Sequence, residues 1–330
     1  MLKQRVLALL RETSDYVSGQ QLCEQLQVSR TAIWKAVNAL KADGYRIETK
    51  QNRGYCLREL ADCLSEAELR AALGSAYADI LVEALTEVDS TNSRAGLLAD
   101  AGAPHGSLVT ADVQTAGRGR RGRGWENPAG TNIAMSILLR PELPVGAAPM
   151  LTLLAAVAAC RAVEEETGLQ ALIKLPNDLL IGGRKVCGIL TELVLEESGI
   201  RHVIVGIGVN VRRAGLPKEL QDKAVSLEEC GAPCHRAVLT AAIYRRFMEL
   251  YQIFEQEKNI LFLKGIYCER MAGLDRPAVV VSGRSRLEGM VRGINETGEL
   301  LLETDGGLLR ISGGEVSLRG TDGYAPGGDA

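Results

Sequence analysis

Along the first sixty residues, apolar positions recur at helical spacing and then switch to strand-like alternation. Leu2, Val6, Leu9 and Leu10 fall on one face, which predicts a helix at the very start of the chain. Ser18 followed by Gln21 has the form of a capping box opening a second helix over SGQQLCEQL. After a break at QVS, Ser29 is placed to cap a third helix, RTAIWKAVNALKADG, that stops at Gly44. YRIETKQNRGYCL then alternates on either side of Gln51-Asn52-Arg53-Gly54, a hairpin signal. Three helices and a hairpin predict a winged helix-turn-helix over residues 1–62. Ser65 with Glu68 caps one more short helix, SEAELRAAL, expected to serve as a linker over 63–79.

From residue 80 to 273 the pattern alternates between strand-like runs (GSLVTADV, NIAMSILL, GILTELVL, HVIVGIGVNV) and two long helical stretches, PMLTLLAAVAACRAVEEETG and RAVLTAAIYRRFMELYQIFEQE. That predicts a mixed α/β body large enough for an enzyme. Residues 274–320 change to short strands with frequent turns, the pattern of a small β-barrel, and 321–330 read as a disordered tail. The fold class expected is therefore α+β in three parts. No apolar run is read as approaching the roughly 18 residues of a membrane span. The apolar run at the N-terminus is too short and too interrupted by charge for a signal peptide, so the expectation is a cytoplasmic protein with no membrane partner.

Composition alters this picture in one respect. The 330 residues are 46% hydrophobic and 24% charged, ordinary for a globular protein, with a net charge of −3. Residues 1–58 hold ten Lys and Arg against five acids, a net +5, so the other 272 residues carry −8. A basic head on an acidic body points to a polyanionic partner for the head alone. On the third helix, Ile33, Ala36, Val37 and Leu40 would face the core. That leaves Ser29, Arg30, Thr31, Lys35 and Asn38 toward the major groove of DNA, with Lys50, Asn52 and Arg53 on the wing. A small helical protein-interaction domain with solvated cations is the alternative. Trp34 is expected in the core. The eight cysteines are scattered and should be reduced in the cytoplasm. Cys230, Cys234 and His235 lack a fourth ligand at matching spacing, so no metal site is expected.

The most distinctive segment is QTAGRGRRGRGW, residues 114–125, with glycines at 117, 119, 122 and 124 and arginines at 118, 120, 121 and 123. Glycine lets a backbone approach a ligand closely, and guanidinium groups match phosphate and carboxylate oxygens in pairs. The segment fits neither a P-loop nor a dinucleotide fingerprint. An RNA-binding RG segment and an anion-binding loop ordered by its ligand both fit the composition; a single short insert between two strand-like runs favours the loop. Companions to it are DSTN at 89–92, KLPNDLL at 174–180, GGRKVCGIL at 182–190 and the glycine-spaced VGIGVN at 205–210. Each alone is weak, since DSTN and KLPND are commonly turns or caps.

In this order these motifs resemble the biotin protein ligase family, and with the N-terminal winged helix they resemble its bifunctional ligase–repressor form. The similarity runs over nearly the whole chain. One position departs: the family commonly has Trp in KWPND, where this chain has Leu175, which offers no flat stacking surface. The resemblance implies a catalytic domain like that of class II aminoacyl-tRNA synthetases and an SH3-like C-terminal barrel. It implies two half-reactions, biotin with MgATP giving biotinyl-5′-AMP, then transfer to a lysine of the biotin carboxyl carrier protein of acetyl-CoA carboxylase. It implies Lys185, Arg118, Arg120 and Asp178 as catalytic, and Ser90, Thr91, Asn92, Gln114, Gly119 and Gly188, with Arg118, Arg120 and Lys185, around biotin. Gly117, Arg121, Arg123, Trp125, Lys174, Asn177 and Asn210, with Arg118 and Arg120, are implied for ATP and the adenylate. Mg²⁺ would arrive with ATP, without a resident metal site. A ligand-promoted homodimer on double-stranded operator DNA, repressing biotin synthesis genes, follows from the same resemblance. The competing readings are a biotin-sensing regulator without ligase activity and a lipoate or octanoate transferase of related fold.

Overall fold

The computed structural model describes residues 2–59, 61–197, 199–282, 285–312 and 316–320; the expected tail at 321–330 lies outside the described residues. The chain forms two compact units, residues 1–63 and 64–330.

The first unit contains α1 (Leu2–Arg11), α2 (Gly19–Leu26), α3 (Arg30–Ala42), β1 (Arg46–Lys50) and β2 (Gly54–Glu59). The capping box is complete: the Ser18 hydroxyl accepts from the Gln21 N–H while the Gln21 side chain accepts from the Ser18 N–H. Ser29 caps α3 by accepting from the Ala32 N–H. Val6, Leu10, Leu22, Ile33, Val37, Leu40 and Ile47 close the core. At the end of the wing the chain runs against Val17, which exchanges two backbone hydrogen bonds with Tyr55. Gly54 has φ +105°, and a Cβ there would stand 2.1 Å from the Val17 carbonyl oxygen, so only glycine fits.

The second unit opens with α4 (Glu66–Leu73), capped by Ser65 as expected. It is not a free linker, because Leu69 and Leu73 are buried in the main core. Then come β3 (Val82–Val88), α5 (Thr91–Asp100), β4 (Ser107–Gln114), β5 (Ile133–Leu139), α6 (Ala148–Thr167), β6 (Leu172–Lys174), β7 (Asp178–Ile181), β8 (Arg184–Glu196), β9 (Gly199–Val209), α7 (Arg236–Glu257) and α8 (Leu261–Glu269). The strands form one sheet in the order β3-β4-β5-β9-β8-β7-β6, antiparallel except for the β3–β4 pair that α5 connects.

Alternate residues feed opposite faces of this sheet. Leu108, Ile137, Val203 and Val205 join the core under α6 and α7, while Val109, Leu138 and Ile204 pack under Ala95 and Ala99 of α5. Strand β5 is buried at every position, which is why NIAMSILL reads as a continuous apolar run. The segment Val145–Thr167 is long and apolar enough to cross a membrane, contrary to the expectation that no run reaches that length. It is instead the central core helix, apolar on all sides because the sheet and α7 enclose it.

The unit ends with β10 (Pro277–Ser282), β11 (Ser285–Ile294), β12 (Leu300–Thr304), β13 (Gly307–Ile311) and β14 (Val316–Gly320). They form an antiparallel sheet ordered β13-β12-β11-β10-β14, and Val280, Val291, Ile294, Leu300 and Leu302 extend the main core.

Candidate functional site

The α5 face of the large sheet is covered only in part, and the uncovered part is floored by small residues. Ala134, Gly208 and Gly188 are paired neighbours across β5, β9 and β8, and Ser136, Gly206 and Leu190 form the next row. Two side chains use the missing Cβ atoms. A Cβ on Gly206 would stand 2.2 Å from Asn92 Oδ1, and one on Gly208 would stand 2.4 Å from the Trp125 ring. The glycine-spaced β9 run leaves room for something to pack flush against it. It seats Asn92 and Trp125, and these become the walls of a cleft of about 470 Å³, part of it open to solvent.

At one end of the cleft Ser90, Thr91 and Asn92 open α5, and Gln114 closes β4. Gln114 Oε1 accepts from the Thr91 N–H (2.8 Å), which fixes the orientation of the Gln114 amide, and it lies 3.0 Å from Thr91 Oγ1. Ser136 Oγ lies 2.8 Å from Thr91 Oγ1 and 2.6 Å from Asn92 Oδ1. The Asn92 amide orientation is fixed in turn, because its Nδ2 donates to Glu192 Oε2 at 2.7 Å and a carboxylate only accepts. Three oxygen–oxygen contacts thus share two hydroxyl protons. This end has surplus acceptors, and a neutral ligand that donates N–H groups suits it. Ser136 and Glu192 were missed from sequence, being ordinary strand residues until the pairing brings them beside α5.

At the other end stands the Gly-Arg loop, folded back on itself. Gly119 N donates to Arg123 O (2.7 Å) and Trp125 N to Gly117 O (2.9 Å), making a small hairpin with Arg121 at φ +59° near its tip. Gly117 is required where the strands close, since a Cβ there would meet the Trp125 carbonyl oxygen at 2.3 Å. Arg120 is half-buried and donates to Asn177 Oδ1 at 2.9 Å. Its burial, then the nearby Arg121 and Arg123, lower its proton affinity, while Asp178 opposes them. Arg118, Arg121 and Arg123 are exposed, with Arg118 Nη2 at 3.4 Å from Glu192 Oε1.

Lys185 reaches the cleft through a backbone irregularity. Cys187 pairs with Leu179 and Lys185 with Leu180, so Val186 is an unpaired extra residue. That bulge moves Lys185 onto the face of Gly188 and Asp178. Its Nζ lies 2.6 Å from Asp178 Oδ1 in a charge contact without hydrogen-bond alignment, and 5.6 Å from the Trp125 ring centre. The space above Gly188 is occupied by the Lys185 side chain, since a Cβ there would meet Nζ at 2.8 Å.

Of the residues expected around the ligands, Ser90, Thr91, Asn92, Gln114, Arg118, Gly119, Arg120, Trp125, Asn177, Lys185 and Gly188 line this one cleft. Asp178 sits behind Lys185, and Lys174 is buried beside Asp178 in the β6–β7 register. Asn210 is turned away, donating to the backbone carbonyls of Lys185 and Val225. Gly117, Arg121 and Arg123 shape the loop without lining the cleft. Leu175 is buried in the main core and does not line the cleft. The indole in the cleft is that of Trp125, whose buried Nε1 has no hydrogen-bond partner. Among the described residues, no cluster of three or more His, Cys, Asp or Glu is placed to hold a metal ion.

In the first unit, Arg30, Thr31, Lys35, Lys50 and Asn52 are exposed and Asn38 is half-buried. Ser29 spends its hydroxyl on the cap, and Arg53 is paired with Asp15 at 3.2 Å. Trp34 corrects the expectation: it is 56% exposed, because the α3 wheel turns Ile33, Val37 and Leu40 inward and places Trp34 beside Arg30 and Asn38.

Three family models match the chain: "HTH domain" over residues 3–56, "Biotin/lipoate A/B protein ligase family" over 86–210, and "Biotin protein ligase C terminal domain" over 279–319. The "Bifunctional ligase/repressor BirA" of Bacillus subtilis is 38% identical over 315 residues, covering 92% of this chain and 94% of that protein. Its Escherichia coli counterpart is 32% identical, with 96% and 97% covered. A solved structure of biotin protein ligase from Aquifex aeolicus in complex with biotin and ATP superposes with a TM-score of 0.64 at 33% identity, covering 73% of this chain and 99% of that one.

Proposed function

The chain belongs to the bifunctional biotin ligase/repressor family, and from that premise we propose how its own residues carry both activities. The ureido ring of biotin enters the α5 end of the cleft. Its N–H groups supply the protons that the Gln114–Thr91–Ser136–Asn92 chain lacks, and this single observation best supports the reading. The biotin tail then runs between the walls that Asn92 and Trp125 form, toward Lys185 and the Gly-Arg loop.

Adenylate formation brings the biotin carboxylate to the α-phosphate of ATP and expels pyrophosphate, so negative charge accumulates where two anions meet. Electrostatic stabilisation dominates such a step. Lys185 leaves Asp178 for these oxygens, and Arg118 and Arg120 hold the phosphate, with Asn177 steadying Arg120. Mg²⁺ accompanies ATP and neutralises its outer phosphates. Asp178, freed of Lys185, then orients or deprotonates the incoming lysine amine of the carrier protein, which is mostly protonated at neutral pH; the neutral amine attacks the biotinyl carbonyl, forming the amide and displacing AMP. The loop, held over the adenylate, excludes water from a mixed anhydride that hydrolyses easily.

The repressor activity uses the exposed face of α3 and the wing on operator DNA, with adenylate-promoted dimerisation setting two such units at half-site spacing. A cytoplasmic location belongs to the same reading.

The test is incubation of the purified protein with biotin, MgATP and an apo carrier domain, followed by mass spectrometry of the acceptor. The expected result is a gain of one biotinyl group, abolished without ATP. An unmodified acceptor that a known ligase can biotinylate would sink the ligase reading.

A further inference from the structure

Glu192 is an acid beside a cleft that must receive anions, touching two of its lining residues, so it repels the ligands rather than binding them. It makes two contacts: Oε2 accepts from Asn92 Nδ2 at 2.7 Å, and Oε1 faces Arg118 Nη2 at 3.4 Å. The two partners belong to opposite ends of the cleft. Asn92 is buried at the head end, while Arg118 is half-exposed on the loop. Glu192 can reach both because it pairs with Ile204, one step beyond the Leu190–Gly206 row, on the same face of the sheet.

We propose that Glu192 is a positioning residue, the internal counter-ion that holds Arg118 before ligands bind and yields it to the phosphate when the adenylate forms. This rests on the ligase reading of the cleft. Through Oε2 it also fixes the Asn92 amide with Oδ1 toward Ser136, which keeps the head pocket rich in acceptors before any ligand arrives. The loop and the head pocket are therefore set by one side chain. Exchange of Arg118 from Glu192 to the ligand costs the internal contact, so Glu192 weakens nucleotide binding slightly while keeping the loop folded in the ligand-free protein.

Two variants separate these tasks. In Glu192→Gln the side-chain oxygen still accepts from Asn92, but the charge facing Arg118 is gone; Glu192→Ala removes both contacts. For Glu192→Gln the expectation is a biotin Kd by calorimetry within about twofold of wild type. The KM for ATP should fall about two- to fivefold, and trypsin cleavage within residues 118–123 of the ligand-free protein should speed up by the same factor, the range for a half-exposed ion pair. Glu192→Ala should in addition weaken biotin about tenfold. Identical cleavage rates in Glu192→Gln and wild type would overturn the proposal. So would a Glu192→Gln protein that loses biotin and ATP affinity alike with a lowered Tm, the mark of a purely structural role. The cleavage readout needs no turnover, so a wild-type protein that transferred no biotin would defeat the ligase reading and leave this comparison intact.

Discussion

The two units solve opposite problems with polar residues. In residues 1–63 the core is apolar, and arginine, lysine and threonine side chains stand in water around an exposed indole. In the cleft of residues 64–330 the polar groups are drawn inward and paired with one another: Gln114 with Thr91, Asn92 with Glu192, Arg120 with Asn177, Lys185 with Asp178. The first arrangement suits a long polyanion that brings its own shape and meets a ready surface. The second suits small ligands that must displace internal partners, each contact broken being replaced by one to the ligand.

Four experiments break or sharpen that contrast, and each unit carries its own fluorescent reporter, since the chain has two tryptophans, Trp34 and Trp125. The largest effect is expected from Lys185→Ala, which should lower biotinyl transfer about 10²–10³-fold, as for loss of one charge-stabilising donor. Trp34 fluorescence and DNA binding without ligand should be unchanged. Next, Leu69→Ala should destabilise the second unit by about 2–4 kcal/mol, followed as earlier urea unfolding at Trp125 with the Trp34 transition unmoved. Equal shifts of both transitions would mean that the two units unfold as one, against the contrast drawn between them. Third, Trp34→Ala should weaken operator binding about tenfold, the value of one good base-edge contact, with ligation intact in the mass assay.

The smallest effect concerns pH. His105 and His202 lie in the second unit, and burial lowers the pKa of both below the usual 6.5. The His202 shift is opposed by Asp100 and reinforced by Arg140 and Arg201, and that of His105 is opposed by Glu255. The unfolded chain therefore takes up these protons first, and the second unit should lose stability as pH falls through about 6.5 and below. The first unit contains no histidine and should not respond in that range. Urea midpoints at pH 7.5 and 5.5, read separately at Trp125 and Trp34, check this; a shift confined to Trp34 would contradict it.

Local signals made much of the fold legible. Ser18 with Gln21 and Ser29 before an apolar period are self-contained instructions, and the two long helical patterns appear as α6 and α7. One error came from reading a residue type without its surroundings: Trp34 is apolar, yet its place on the α3 wheel turns it outward. The other was one of length: the segment Val145–Thr167 is long and apolar enough to cross a membrane where no such run was expected, and the sheet and α7 cover it. In the site, the Gly-Arg stretch and the DSTN, KLPND and GGRK motifs were visible in sequence, whereas Ser136 and Glu192 carried no signal. Their importance comes from pairing with Gly206 and Ile204, residues about 70 and 12 positions away.

By itself the sequence determined the order of the elements, the three-part organisation and the chemical types gathered for two anionic ligands. These depend on periodicity, caps and turn residues, which act over a few positions. Only the tertiary structure decided which of those types meet. Strict alternation along β8 would put Lys185 and Gly188 on opposite faces, and the bulge at Val186 brings them together beside Asp178. Likewise the flat place above Gly206 and Gly208 is filled by Asn92 and Trp125, which arrive from other segments of the chain. Such encounters are set by strand register and close packing, and neither is written in any one stretch of residues.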